Sequence, residues 1–247
     1  MILIVNVAEW GEAHLKQNFP CDCGQWFVSA FGGNQEKYTT WRPRIGDPIP
    51  QQNFDGIVIS GSAASVYDDE EWITQLSNSI LEWDQQKLPI LGVCFGHQLI
   101  AQIFGGKVEK NKRGWEVGSC DLDLTEAGKS DLLFHSIPPR FKVMQSHQDI
   151  VTQLPPGAEC LASSAICEFQ SFKIGNRIRT VQFHPEYTVD QMKLIMAPRR
   201  EILEASGINF KNALVELAPT LKSRTILANF EQFFVQQSHE MQGDQCW

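Results

Sequence analysis

The sequence predicts an α/β domain, a mostly parallel central sheet with helices on both faces. Three observations carry this. First, Met1–Val7, Phe54–Ser60 (FDGIVIS) and Leu88–Val93 (LPILGV) are uninterrupted apolar runs of strand length. Strands that are apolar on both sides belong to sheets covered on both faces. Second, helical patterns alternate with them. Trp72, Ile73, Leu76, Ile80 and Trp83 recur at three- and four-residue spacing within Glu70–Gln86, and Gly96–Phe104 follows the LPILGV run almost directly. Such alternation is the mark of parallel strands joined by crossover helices. Third, a chain of 247 residues, 43% hydrophobic and 20% charged, can bury a large core without disulfide or metal staples.

The remaining elements follow in chain order. Cys23–Phe31 forms a short helix that buries Trp26, Phe27 and Ala30, and Tyr38–Arg42 a second strand ended by Pro43 and Gly46. Asp68 or Asp69 supplies the acid at the start of the Glu70–Gln86 helix. Gly105-Gly106 stops the helix before it. From Lys107 to Phe183 the pattern is strand-rich: Gly118–Leu124, Phe141–Ser146, Glu159–Ser163, Cys167–Ile174 and Arg177–Phe183. From Val189 the chain turns helical again, and the polar tail after Gln236 frays. We read residues 1–247 as one domain with a helical insertion at about 189–221.

Charge and cysteine usage narrow the function. The formal net charge is −8, from 21 basic and 29 acidic residues. That balance argues against a dedicated nucleic-acid binder, whose footprint is a basic patch. The apolar N-terminal run is too short to span a bilayer and has no basic flank or cleavage site, so neither membrane nor export is expected. Seven scattered cysteines fit reduced thiols in the cytoplasm better than a disulfide framework. Cys21-Asp22-Cys23 has no second ligand pair nearby, so no metal is expected there. No H-E-x-x-H, Walker loop or G-x-G-x-x-G after a strand is present, which removes zinc hydrolase and nucleotide-binding readings.

The chemistry concentrates at Gly92-Val93-Cys94-Phe95-Gly96-His97-Gln98. This is the G-x-nucleophile-x-G form of a strand-to-helix elbow, with Cys in the nucleophile position. A side chain on so tight a turn needs small neighbours two positions to either side. The helix that begins after it aims backbone N–H groups and a positive dipole end at the sulfur, which favours the thiolate. A thiolate needs a base, and His184-Pro185-Glu186 offers one at the end of the last strand. Residues two apart on extended chain point to the same side, so Glu186 can orient His184 as the third member of a triad. His97 reads as a packed helix residue. His147, in Gln145-Ser146-His147-Gln148-Asp149, follows a strand and is open between cleft and structural roles. His14, His135 and His239 carry no pattern.

Together these motifs resemble the class I glutamine amidotransferase family, in particular its stand-alone members and the glutaminase domain of GMP synthase. The elbow motif and Val181-Gln182-Phe183-His184-Pro185-Glu186 match the family's nucleophile and His-x-Glu motifs. Ile57–Val66 aligns with the loop that supplies an oxyanion-hole amide, Ser146–Asp149 lies where the family contacts glutamine, and Ile226–Phe230 resembles its final helix. The resemblance covers roughly residues 1–190 and 222–236. It implies a flavodoxin-like sheet and a Cys94, His184, Glu186 triad that hydrolyses the glutamine side-chain amide through a γ-glutamyl thioester. It also implies an oxyanion hole from the N–H groups of Ser62 and Phe95, and substrate contacts from Gln98, Ser146, His147 and Gln148. No metal or organic cofactor is implied.

Two departures from the family pattern matter. The oxyanion loop reads Gly61-Ser62-Ala63 where the family commonly has Gly-Gly-Pro. About thirty residues, Val189–Leu221, separate His-Pro-Glu from the last helix, and they could roof the pocket, form a dimer face or replace contacts to a missing synthetase. No synthetase domain fits in this length, so either a separate partner receives the ammonia or none is released to one. The second case is a γ-glutamyl peptidase acting on γ-glutamyl peptides or glutathione conjugates, towards which the Gly-Ser loop and Glu71-Trp72-Ile73 lean. A non-catalytic binding or regulatory module is the third reading. Oligomeric state, a homodimer included, is left open.

Overall fold

The computed structural model describes residues 1–8 and 23–236. His14, His239, Cys21 of the C-x-C pair and the tail after Gln236 lie outside the described residues. Among the described residues, a nine-stranded sheet runs in the order β2 (Tyr38–Trp41), β1 (Ile2–Val5), β3 (Gly56–Ile59), β4 (Ile90–Val93), β11 (Ile178–Val181), β10 (Ser171–Ile174), β9 (Ala158–Ser163), β6 (Glu116–Leu124), β7 (Arg140–His147). The first five strands pair in parallel, and the last four extend the sheet antiparallel.

The core of the parallel half is buried on both faces: β1, β3 and β4 carry only apolar residues and glycine, and in β11, where no residue is exposed either, Arg179 is held by Asp131. The two-residue period splits them. Leu3, Val5, Ile57, Ile59 and Ile90 point into one core with Leu76, Ile80 and Trp83 of α2 (Glu71–Gln85) and Leu99 and Ile100 of α3 (Phe95–Ile103). Ile2, Ile4, Val58, Leu91 and Val93 point into the other, with Phe27 and Val28 of α1 (Cys23–Ala30) and Ile226 and Leu227 of α8 (Leu221–Asn229). Each such side chain contributes about 1.5–3 kcal/mol on burial.

The structure differs from the sequence expectation at several points: Ala30 is only half-buried at the end of α1, and the strand expected over Cys167–Ile174 begins only at Ser171. The start of α2 is capped by Glu70, without a side-chain bond; Asp68 instead accepts from the Ser65 amide at 2.8 Å, closing the preceding turn. A separate antiparallel pair, β5 (Lys107–Lys110) with β8 (Asp149–Gln153), was not expected. His147 is the last residue of β7 rather than a residue beyond it. The stop after α3 is a Schellman turn: Gly105 has φ 93°, its amide bonds to Gln102, and the Gly106 amide reaches back to Ala101 at 2.8 Å.

Beyond the short α4 (Glu126–Ser130), residues 189–221 fold as α5 (Val189–Met196), α6 (Arg200–Ala205) and α7 (Phe210–Val215), leading into α8. The first is fixed by a capping box between Thr188 and Gln191. Met192, Ile195, Met196, Leu203 and Phe210 form a third core with Trp26, Met144 and Tyr187. The segment therefore packs against β7 and the residue that follows His-Pro-Glu.

Candidate functional site

Cys94 sits between the end of β4 and the first turn of α3, with φ 51° and ψ −98°. A non-glycine residue in such a conformation costs of order 1–3 kcal/mol and persists only where its surroundings impose it. Here they do. The Cys94 amide bonds to the Val181 carbonyl of β11 at 2.9 Å. A Cβ on Gly92 would come within 2.7 Å of the Gly96 backbone, and one on Gly96 within 2.7 Å of the Ile59 carbonyl. Both glycines are required by contact: helix α3 lies directly against β3 and β4. Phe95 is the first helical residue, so its N–H has no acceptor within the helix and opens beside the sulfur.

His184 follows β11 and is held by its amide to the Met144 carbonyl of β7 at 2.8 Å. Its Nδ1 lies 2.8 Å from Glu186 Oε1, and both side chains are almost wholly buried. The ring stacks on Tyr187 with centroids 4.1 Å apart and planes 3° from parallel. Gly61 shows how near Cys94 and His184 are. A Cβ placed there would be 2.7 Å from His184 Cε1, 3.5 Å from its Nε2 and 3.3 Å from Cys94 Cβ. Burial works against a charged ring at His184, but the negative charges of Glu186 and Cys94 outweigh it and hold the imidazolium well above its ordinary range.

The other titratable groups behave differently. His97 is fully buried, bonds Thr180 Oγ1 through Nδ1 at 2.8 Å, and is pushed down to about 3 by burial, so it stays neutral and structural. Cys120 is pushed up to about 12 and Cys167 higher still, mainly by burial and then by the charge of Glu116. Neither is a nucleophile at neutral pH. Among the described residues no group of three or more His, Cys, Asp or Glu is arranged to hold a metal ion. No helix among them is long and apolar enough to cross a membrane.

A cavity of about 330 Å³ opens over Cys94. One wall is the loop of Ser62 to Ser65, and the opposite wall is Ser146 to Asp149 with Gln98. All the residues expected to contact substrate therefore line one space. Gln98 has its amide nitrogen engaged with the Asp149 carbonyl at 2.7 Å and Gln182 Oε1 at 3.0 Å. It braces the wall and leaves its oxygen as the group without an assigned role. His147 is also braced: Nε2 meets Glu116 Oε2 at 3.1 Å, and Nδ1 the Asp149 carbonyl at 3.1 Å. Glu116 in turn accepts from Gln170 Nε2 at 2.6 Å. The Glu116–His147 pair was not expected from sequence, although the two are direct cross-strand partners of β6 and β7.

The third wall comes from the 189–221 segment, through Arg199 and Ile202, with Trp115 beside them. Arg199 donates from Nη1 to Ser146 Oγ, and its guanidinium lies 5.9 Å from the Trp115 ring centroid. A larger cavity of about 850 Å³ lies on the far side of Trp115, between β6 and residues 208–216.

Comparison with known proteins agrees with this architecture. The family described as glutamine amidotransferase class-I matches residues 22–198. A curated relative, gamma-glutamyl peptidase 3 of Arabidopsis thaliana, is 34% identical over 65% of this chain and 67% of its own length. A GMP synthase [glutamine-hydrolyzing] of Borreliella burgdorferi is 36% identical over 57% of this chain but only 26% of its own length. The alignments thus span about two thirds of the peptidase and a quarter of the synthase. The crystal structure of a glutamine amidotransferase from Thermotoga maritima superposes with a TM-score of 0.74, covering 95% of this chain and 97% of that one at 21% identity, a likeness of fold. With its mixed flavodoxin-like sheet and a family match across most of its length, the chain belongs to the class I glutamine amidotransferase family.

Proposed function

We propose that the protein hydrolyses a γ-glutamyl amide bond through a covalent thioester on Cys94, with His184 as acid and base and Glu186 as its orienting partner. The observation that carries this reading is the buried His184–Glu186 contact of 2.8 Å beside a strained Cys94 that opens into a cavity. The pair begins as thiolate and imidazolium. The sulfur attacks the γ-carbonyl carbon, and the oxyanion that forms is met by the N–H groups of Phe95 and Ser62. Loss of one such donor typically costs about 10²–10³ in kcat. His184 gives its proton to the departing nitrogen, the C–N bond breaks, and the thioester remains. His184 then takes a proton from water, the hydroxide attacks the thioester, and glutamate leaves with thiolate and imidazolium restored. Ser146, His147, Gln148 and Gln98 border the glutamyl group, and the Asp149 carboxylate suits its ammonium.

The departing group is ammonia if the substrate is glutamine and an amine or peptide if it is a larger γ-glutamyl compound. The second case is favoured by the wall that Arg199 and Ile202 add to the cavity, and by the relatives named gamma-glutamyl peptidase. The test uses purified protein alone with glutamine and with γ-glutamyl dipeptides. Intact-mass spectrometry should find a γ-glutamyl adduct on Cys94, and Cys94→Ala should abolish turnover of every substrate. Wild-type rates in Cys94→Ala would end the thioester mechanism. Release of ammonia from glutamine without any cleavage of dipeptides would support an amidotransferase with a separate partner.

A further inference from the structure

We infer that Arg199 is a specificity-determining residue: it binds a carboxylate on the departing part of the γ-glutamyl substrate. The inference rests on the hydrolytic reading above and extends it to the substrate class, γ-glutamyl amino acids or peptides with a free carboxylate near the scissile bond.

Four observations support it. Arg199 is half-buried and faces the same 330 Å³ cavity as Cys94. Among the described residues it has no carboxylate partner; its donors meet Ser146 Oγ, and the face of its guanidinium lies near Trp115. A guanidinium has five N–H donors in a fork that matches a carboxylate. One bond to a hydroxyl leaves most of that fork available. Position comes next. Trp115 lines both the Cys94 cavity and the 850 Å³ cavity, and Arg199, which lines the first, lies near the face of that shared ring. Arg199 also donates to Ser146, so it stands at the rim of the 146–149 wall that, with Gln98, borders the glutamyl group. A residue at that rim reads what extends beyond the scissile nitrogen.

The family match gives the last argument. It ends at residue 198, one position before Arg199. Recognition of the glutamyl group is common to members of a family that acts on glutamine, and the matched stretch carries the walls that would supply it. Arg199 and Ile202 come from the segment beyond that stretch, so they suit a feature that glutamine lacks. The segment is also firmly built. Leu203, on the turn after Arg199, is wholly buried, as are Met192 and Met196. The arginine is therefore held in place before substrate arrives, which lowers the ordering cost of binding.

The test compares γ-glutamylglycine with γ-glutamylglycinamide, which differ only in whether the departing part carries a carboxylate. The wild type should favour the acid over the amide by about ten- to a hundredfold in kcat/KM, the range of a charge-assisted hydrogen bond. In Arg199→Met that preference should fall to within about twofold, chiefly through loss of activity on the acid. Arg199→Lys should restore part of it, since it returns the charge without the fork. Glutamine shares the Ser146 wall but has no carboxylate on its departing part, so its hydrolysis is the reference against which the loss on the acid is read, and the loss on the acid should exceed it in Arg199→Met. An equal loss on acid, amide and glutamine in Arg199→Met would overturn the inference and leave hydrolysis standing. A wild type that cleaves glutamine but neither dipeptide would overturn it as well, whereas one inert towards all three would also end the hydrolytic reading.

Discussion

A single added methyl group at Gly61 should disable the site without unfolding the protein. The Cβ of Gly61→Ala would lie 2.7 Å from His184 Cε1 and 3.3 Å from Cys94 Cβ. Carbon atoms rest about 3.5–4.0 Å apart, so one partner must retreat by about 1 Å. The imidazole has little room to do so. Its Nδ1 is tied to Glu186 at 2.8 Å, and one face lies flat on Tyr187 at 4.1 Å. If the loop moves instead, it displaces Ser62, whose amide is proposed to meet the oxyanion, in the cavity it shares with Cys94. A misplacement of about 1 Å in reacting groups costs on the order of 10²-fold, or about 2.7 kcal/mol of transition-state stabilisation. The backbone at Gly61 is not in the left-handed region, so alanine brings no conformational strain of its own. We expect kcat/KM for a γ-glutamyl substrate to fall about a hundredfold, and the thermal midpoint to shift by only a few degrees. Activity within threefold of wild type would show that the placement of His184 against Cys94 does not limit the reaction, and the assignment of these residues would fail with it.

Other expectations follow from the same geometry. His184 ordinarily titrates at 6.5 and is raised to about 10 in the fold, so the folded state keeps the proton longer than the unfolded chain does. Its contribution to stability is then complete below pH 6.5 and lost as pH rises towards 10. The difference in urea stability between wild type and Glu186→Gln should narrow across that window, and a constant difference would count against the ion pair. Gly96→Ala should destabilise by about 1–3 kcal/mol in chemical denaturation, because its Cβ meets the Ile59 carbonyl at 2.7 Å and neither backbone can yield cheaply. Leu203→Ala should cost about 2–5 kcal/mol, read by hydrogen exchange in residues 189–215, with a raised KM for peptide substrates; unchanged exchange there would show that the segment is not held by its own core.

What could be seen in the sequence was what local chemistry dictates. Strands β1, β3 and β4 were legible because every residue is buried, which leaves an unbroken apolar run. The elbow was legible because helix α3 touches β3 and β4 so closely that only glycine fits at 92 and 96. His184 and Glu186 were legible as a pair two residues apart, but the structure joins them on a turn and not on extended chain: β11 ends at Val181, and Pro185 and Glu186 turn back so that Glu186 meets His184. The β5–β8 pair was not, since only Val108 and Val151 are buried in it and one buried residue per strand makes no pattern. Arg199 was not legible either. It lies 53 residues from its partner Ser146, and nothing local says that the helices after Thr188 fold back over β7. Glu116 became recognisable only through register, as the partner of His147 across two antiparallel strands.

The position of β11 has a consequence for how the enzyme comes into being. Strands β1 to β4 can assemble from the first 93 residues, but β4 then ends the sheet with an open edge. The strand that closes this edge is β11, which begins at Ile178 and lies between β4 and the antiparallel half. The same few residues that complete the sheet supply the carbonyl that holds Cys94 and, three positions later, the imidazole beside it. Until β11 is in place, therefore, Cys94 lacks both the carbonyl that fixes its amide and the imidazole beside it. The geometry proposed for catalysis thus forms in one step with the centre of the fold, and a molecule that lacks β11 has neither of its anchors.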